Sequence, residues 1–383
     1  MAFTFSGLNF VGDVSAQAVF PIPPVYYLQG WGYNAYGAVG DGSTIDRSSP
    51  VQIGALTTWS QIATGGQYSM ATKIDGTLWT WGYNQFGQLG NGEPVGTYPS
   101  GRVSSPVQVG ALTTWLSIAA GYSHSLAIKT DGTLWSWGGN YGTGMGQLGL
   151  GDTAFRSSPV QIGALTTWSK IAGGSLHTIA VKTDGTMWAW GSGGSGRLGL
   201  GNTTDYSSPK QIGALTTWSK IAAASSTSAA IKTDGTLWSW GYNYYGNVGD
   251  GTTIYRSSPV QIGALTTWSS IDGGDGYTLA IKTDGTLWSW GYNTTYGNLG
   301  DGTTISKSSP VQVGALTNWS MVSAGNLTSA AIKTDGTLWT WGANGSGSLG
   351  LGNTTHRSSP VQVGSSTTWY SVAAGANMLS ITN

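Results

Sequence analysis

The sequence contains no cysteine, so neither a disulfide framework nor a thiolate metal centre is available to it. Charge is sparse as well: Asp, Glu, Lys and Arg make up 8% of the 383 residues, with 16 acidic side chains balancing 16 basic ones. Such a chain has no global field to draw it to nucleic acid or to an anionic membrane, and neither partner is expected. Glu93 is the only glutamate, and there are three histidines. Paired-glutamate glycosidase chemistry and dense histidine metal motifs are therefore missing, as are a phosphate loop and a nucleophile elbow. No apolar run approaches the length of a membrane span. The opening MAFTFSGLNFVGDVSAQAVFPIPP lacks the basic start of a secretory signal.

What the chain does have is 62 glycines and 20 tryptophans, too many aromatics for a disordered chain. The tryptophans follow a repeat. A Trp-Gly pair begins at Trp31, Trp81, Trp137, Trp190, Trp240, Trp290 and Trp341, at intervals of 50 to 56 residues. Near-copies of SSPVQIGALTTW follow and end at Trp59, Trp115, Trp168, Trp218, Trp268, Trp319 and Trp369. Six more stand two residues before a Trp-Gly pair, at Trp79, Trp135, Trp188, Trp238, Trp288 and Trp339, which completes the 20.

One unit reads as four short strands. SLAIKTDGTLWSWG is two β-rich runs around Asp-Gly, the residues favoured by a two-residue type I′ hairpin. PVQIG and WSKIAAG supply two more strands, and four strands in about 50 residues make a propeller blade. The chain stops in AAGANMLSITN, before the Asp-Gly turn, and its repeat region opens with VYYLQGWGYN, which aligns with the missing half. The expected fold is therefore all-β: a seven-bladed β-propeller of four-stranded blades over 25–383. Its ring is closed by N- and C-terminal strands that share one blade.

GYSHSLAIKTDGTLWSWG with GQLGLGD resembles the regulator of chromosome condensation repeat, also found in alpha-tubulin-suppressor-like proteins, from about Val25 to Asn383. The resemblance implies a propeller whose relatives act in guanine-nucleotide exchange, chromatin docking, ubiquitin ligation or enzyme inhibition. The exchange factor's protruding β-wedge has no clear equivalent here. The one sizeable insertion, NGEPVGTYPSGRV at Asn91–Val103, reads as a loop.

Alternating strand direction sends two connections of each blade to one side of the disc and two to the other. The Asp-Gly turn and GALTTW hardly change from copy to copy, whereas the other two connections do. Variable loops on a rigid scaffold are the usual place for recognition. The expected partner-binding residues are Tyr68, His124, His177, Thr227, Tyr277, Thr328 and Asn377, together with Tyr36, Phe86, Tyr141, Tyr245 and Tyr296. The repeated Lys and Asp of Lys-Thr-Asp-Gly are read as turn residues with a solvated lysine. Arg47, Arg156, Arg256, Lys307 and Arg357 are read as exposed strand flanks or inter-blade partners. No catalytic residue, cofactor or metal is assigned.

Residues 1–24 carry a single charge, Asp13, and end in Pro-Ile-Pro-Pro. Phe3, Phe5, Leu8, Phe10 and Phe20 fit an assembly arm. Three roles follow. The favoured one is a non-catalytic display protein of a virion surface, such as a phage tail or capsid component. Its arm would join other virion proteins and its variable face a protein or glycan receptor. The second is a soluble intracellular regulator of a partner protein such as a GTPase. The third is an enzyme that uses His124 and His177, with Asp272 or Asp275, near the ring axis.

Overall fold

The computed structural model describes residues 25–93, 101–140 and 145–383. Twenty-eight strands form seven separate four-stranded antiparallel sheets arranged as a ring of blades. In each blade the strands are lettered A to D from the axis outwards. A representative blade has A at Trp218–Ala223, B at Thr227–Lys232, C at Leu237–Gly241 and D at Arg256–Gln261. The closing blade takes A and B from the C-terminal end, Trp369–Ala374 and Asn377–Thr382. Its C and D strands, Tyr27–Gly32 and Arg47–Gln52, come from the other end of the described chain. The two ends pair antiparallel, with Trp31 opposite Met378 and Gly32 opposite Asn377.

The core lies between blades rather than within them. Ala222, Ile231 and Leu237 of one blade pack with Trp268, Ile271, Ala280 and Trp290 of the next, and the pattern repeats around the ring. Each class of tryptophan has its own task. The Trp-Gly indole is fully buried and donates across the blade boundary: Trp81 to the Ala38 carbonyl, Trp137 to Gln88 and Trp240 to Arg197, at 2.8–3.0 Å. Burial of one such ring contributes roughly 4–6 kcal/mol before entropy is charged against it. Each A-strand tryptophan packs against the rings of strand C, as in Trp268 with Trp288 and Trp290 at 6.1 Å. The outer indole of strand C is half-buried and bonds the turn threonine, as Trp238 does with Thr236 at 2.9 Å.

Two local readings need correction. The Asp-Gly hairpin is a three-residue loop, not a two-residue type I′ turn. Gly132 bonds back to the Lys129 carbonyl, Lys129 N–H meets the Thr133 carbonyl, and only the glycine has positive φ (+77°). That is a type I turn closed by a left-handed glycine, and it spares Asp131 the strain that type I′ would impose. The lysine is not a solvated flank either. Lys129 is buried, with Nζ 3.6 Å from the Trp135 ring centroid and 5.0 Å from that of Trp115. All six lysines of this motif sit in the same cation–π sandwich. In the closing blade Thr382 and Gln29 replace the lysine and its outer tryptophan together.

Glycine is required where a tryptophan crosses the blade boundary. Gly90 has φ +69°, and a Cβ there would lie 2.6 Å from Trp137 Nε1.

Candidate partner-binding face

The A–B turns and C–D connections emerge on one side of the disc. Here the structure separates the expected partner-binding residues into two groups.

Tyr68, His124, His177, Thr227, Tyr277, Thr328 and Asn377 are all buried and cannot meet a partner. Each is the first residue of strand B, which neighbouring blades cover on both sides. Their work is internal. The Tyr68 hydroxyl donates to the His124 carbonyl of the next blade at 2.5 Å and lies 3.0 Å from Ser125 Oγ of that blade, whose own proton goes to the Gln88 carbonyl. Tyr277 repeats this with Thr328 and Ser329. Asn377 reaches the Ala38 carbonyl and Ser69, and so ties the closing blade to its neighbour. Thr227 and Thr328 are too short to cross and bond the Tyr242 and Ala343 carbonyls instead.

The histidines belong to the same set of ties. Thr178 Oγ1 donates to the Gln147 carbonyl, so its contact with His124 Nε2 at 3.1 Å makes that nitrogen the donor. Ser228 likewise donates to the Arg197 carbonyl and accepts from His177 Nε2 at 2.9 Å. Both rings are therefore neutral, each with a bare, buried Nδ1. Burial pushes His124 down to about 4. Burial, then the nearby Arg197 and His124, hold His177 well below its ordinary value. Among the described residues no three His, Asp or Glu side chains gather as metal ligands.

The second group is at the surface. Tyr36, Phe86 and Tyr296 are half-exposed, and Tyr245 is exposed. Tyr141 and the arm residues Phe3, Phe5, Leu8, Phe10 and Phe20 lie outside the described residues. The surface aromatics are not isolated. Tyr33, Tyr36, Tyr83, Phe86 and Phe155 form one arc over three consecutive blades, with successive centroids 6.3, 4.6, 6.0 and 5.7 Å apart. A second series runs through the contacts Tyr242–Tyr255, Tyr244–Tyr245, Tyr245–Tyr292 and Tyr296–His356, at 4.7–4.9 Å. The blade between them breaks the pattern. Its C–D connection begins Ser192-Gly193-Gly194, offers no aromatic ring, and holds Ser195 at φ +60°.

The fully described loops that carry these rings are cross-braced by a buried asparagine, at Asn34, Asn243, Asn293 and Asn344. Asn243, buried at the start of one loop, donates to the Thr252 and Ile254 carbonyls and accepts from Val248 N–H. Asp250 receives Thr252 N–H and hydroxyl on one oxygen and Arg256 on the other. The pairs Arg47–Asp41, Arg156–Asp152, Arg256–Asp250 and Lys307–Asp301 repeat the arrangement. These basic residues are thus pinned within their own blade rather than bridging blades. In the remaining blade with an arginine here, Arg357, the sequence has Leu351 at the position of Asp41, Asp250 and Asp301 and Asn353 at that of Asp152.

At the centre of the same face the A–B turns surround the mouth of an axial cavity of about 370 Å³. Its rim is made by the second residue of six of the seven turns, Gly66, Tyr122, Ser175, Ser225, Asp275 and Asn326, and by Gly375 in the closing blade. Of these the sequence singled out only Asp275, for an enzyme near the ring axis, and otherwise favoured the buried residues two positions later. The signal was present, because this is the most chemically varied position in the turn.

A family model described as the RCC1-like domain matches residues 27–381. The chain belongs to the RCC1-like family. Among curated relatives, this RCC1-like chain is 33% identical over 170 residues to the ultraviolet-B receptor UVR8 of Arabidopsis thaliana, covering 43% of the chain and 37% of that protein. It is 29% identical over 172 residues to the mitochondrial RCC1 domain-containing protein RUG3 of the same plant, covering 43% and 38%. The chain thus spans little more than a third of the length of these relatives. Among solved structures, human WBSCR16 superposes with a TM-score of 0.81 at 21% identity, covering 94% of this chain and 99% of that one. Yeast Prp20p, whose structure was described with its binding properties to Gsp1p and histones, gives 0.81 at 20%, covering 94% and 92%. These likenesses support the fold. No helix is long and apolar enough to cross a membrane among the described residues.

The favoured expectation, a virion display protein, is corrected by these findings. The family is RCC1-like, and the relatives are a light receptor, an RCC1 domain-containing mitochondrial protein and a protein described with its binding to Gsp1p and histones, none of them a virion component by name. Virion and glycan partners lose their support with that expectation.

Proposed function

We propose that this chain is a regulatory binding propeller that docks another protein on the face carrying the aromatic arcs, without a catalytic step of its own. The observation that carries the reading is the clustering of aromatic rings on one side, an unbroken arc from Tyr33 to Phe155 and grouped rings from Tyr242 to His356, the latter on loops braced by Asn243, Asp250 and their counterparts. Rigid tyrosines bury large area at low entropic cost and dominate protein interfaces. Two relatives make a small GTPase the first partner to try. One is a worm homologue of a retinitis pigmentosa GTPase regulator, 40% identical over 80 residues, covering 20% of this chain and 5% of that protein. The other is Prp20p, described with its binding properties to Gsp1p.

The test compares binding of candidate GTPases by the full chain and by two variants. Tyr244→Ser with Tyr245→Ser strips one arc, and Leu215→Ser with Leu265→Ser alters the opposite face. Loss of binding in the first variant alone supports the reading. Equal loss in both, or loss only in the second, overturns it.

A further inference from the structure

The axial cavity is lined almost wholly by Ala, Gly, Ile and Ser of the A strands and their turns. The charged residues in that lining are Asp272 in the wall and Asp275 on the rim, both from one blade. At the position of Asp272 the other blades carry Ala63, Ala119, Ala172, Ala222, Ser323 and Ala373. Two carboxylates in one copy of a near-uniform repeat therefore give an otherwise neutral cavity a negative side.

Asp272 is held but not neutralised. One carboxylate oxygen accepts Gly273 N–H at 2.9 Å, and the other accepts Ser323 Oγ at 3.1 Å and Ala324 N–H at 2.9 Å. These donors are all uncharged, and the ion pairs of the described residues do not include Asp272 or Asp275. Burial raises the Asp272 carboxyl despite those donors. A part-buried anion without a counter-charge is costly, and a cation in the same cavity relieves that cost. Tyr122, 52% exposed on the rim, adds an aromatic face of the kind that attracts cations.

We propose that the axial cavity takes an organic cation, the guanidinium or ammonium of an arginine or lysine side chain projecting from the docked protein, against Asp272 and Asp275. The inference rests on the docking face described above and names the chemistry of what enters at its centre.

The probes are n-butylguanidinium and n-butylammonium chloride, titrated into the full chain while the carboxyl carbon resonances of Asp272 and Asp275 are followed. Butylurea serves as a neutral isostere, and sodium chloride matches ionic strength. A saturable shift with either cation supports the proposal if it is at least fivefold weaker in Asp272→Asn and in Asp275→Asn and missing with butylurea. The arm that binds more tightly tells arginine from lysine. Asp275 is exposed, so its variant keeps the test open should Asp272→Asn fold poorly. An equal shift with sodium chloride, or cation binding unchanged in both variants, overturns it. If GTPase binding depends on Tyr244 and Tyr245 while neither cation binds, this inference alone fails. The reverse pattern would sink the docking face and leave the cavity's preference for cations standing.

Discussion

Trp31 donates its indole N–H to the backbone carbonyl of Ser348 at 3.0 Å, across 317 positions of sequence. Elsewhere the corresponding bond joins neighbours in the chain, as in Trp240 to Arg197, 43 positions apart. The two differ in one respect. The Arg197 carbonyl also accepts from Ser228 at 2.8 Å, whereas the residue equivalent to Ser228 in the closing blade is Met378, which cannot donate. Trp31→Phe should therefore leave a buried carbonyl unsatisfied and cost about 1–3 kcal/mol, while Trp240→Phe should cost less. Denaturant unfolding of the two variants measures the difference. Hydrogen exchange at Asn377–Thr382 should also accelerate in Trp31→Phe alone, because that strand is held by the seam.

The two buried histidines set the acid side of the stability profile. Their folded values lie below the unfolded value of about 6.5, so the unfolded chain takes up protons first as pH falls. The His124 contribution is whole above pH 6.5 and drains away towards pH 4, at roughly 1.4 kcal/mol per pH unit, and His177 acts in the same direction. The turn aspartates, lowered chiefly by their bonds to the turn threonines, lose their contribution only below about 3.8. Asp272, raised by burial, acts in the opposite sense and gains as pH falls. Between pH 6.5 and 5 the chain should thus lose about 2 kcal/mol through His124, with a further loss through His177 and an opposing gain through Asp272. A His124→Gln, His177→Gln variant keeps a donor for Thr178 and Ser228, and its unfolding midpoint should vary less over that range.

The ring, its closure and the division of its faces were legible from spacing alone, because the Trp-Gly pair and its partner phrase mark the blades. Side-chain burial was not. In an exposed sheet, alternation separates inside from outside, but strand B of a propeller is covered on both faces. His124–Lys129 is buried at all six positions. Variation at Tyr68, His124 and Tyr277 therefore reflects different ways of tying one blade to the next, not different ligands. The lysine of the hairpin misled for a related reason. A turn lysine reads as solvated until the rings of strands A and C are placed beneath it. Apart from Asp275, the cavity rim escaped because it stands two residues before the more conspicuous first residues of strand B.

Gly90 and Gly54 both have positive φ, at +69° and +62°, but only Gly90 faces a side chain. Gly54→Ala meets nothing within 4 Å and should cost only the left-handed backbone penalty, about 1 kcal/mol. Gly90→Ala adds a contact 2.6 Å from Trp137 Nε1 and should cost roughly 2–5 kcal/mol as the indole is pushed from the Gln88 carbonyl. Unfolding midpoints measure both costs. A red shift of tryptophan emission in Gly90→Ala alone would report the displaced ring.

The lysine sandwich offers a gain as well as a loss. Lys129→Met removes a cation held 3.6 Å from the Trp135 ring while keeping the aliphatic stem, and should cost about 1 kcal/mol. The closing blade has Trp369 in strand A but Thr382 and Gln29 where the other blades place the lysine and its outer tryptophan. Thr382→Lys alone would find only the more distant ring, and Gln29→Trp alone would present a face without a cation. The pair should stabilise by more than the sum of its parts, with a coupling of about 0.5–1 kcal/mol in a double-mutant cycle. Additive single effects would mean that ring contact, rather than charge over the ring, is what the repeated lysine supplies.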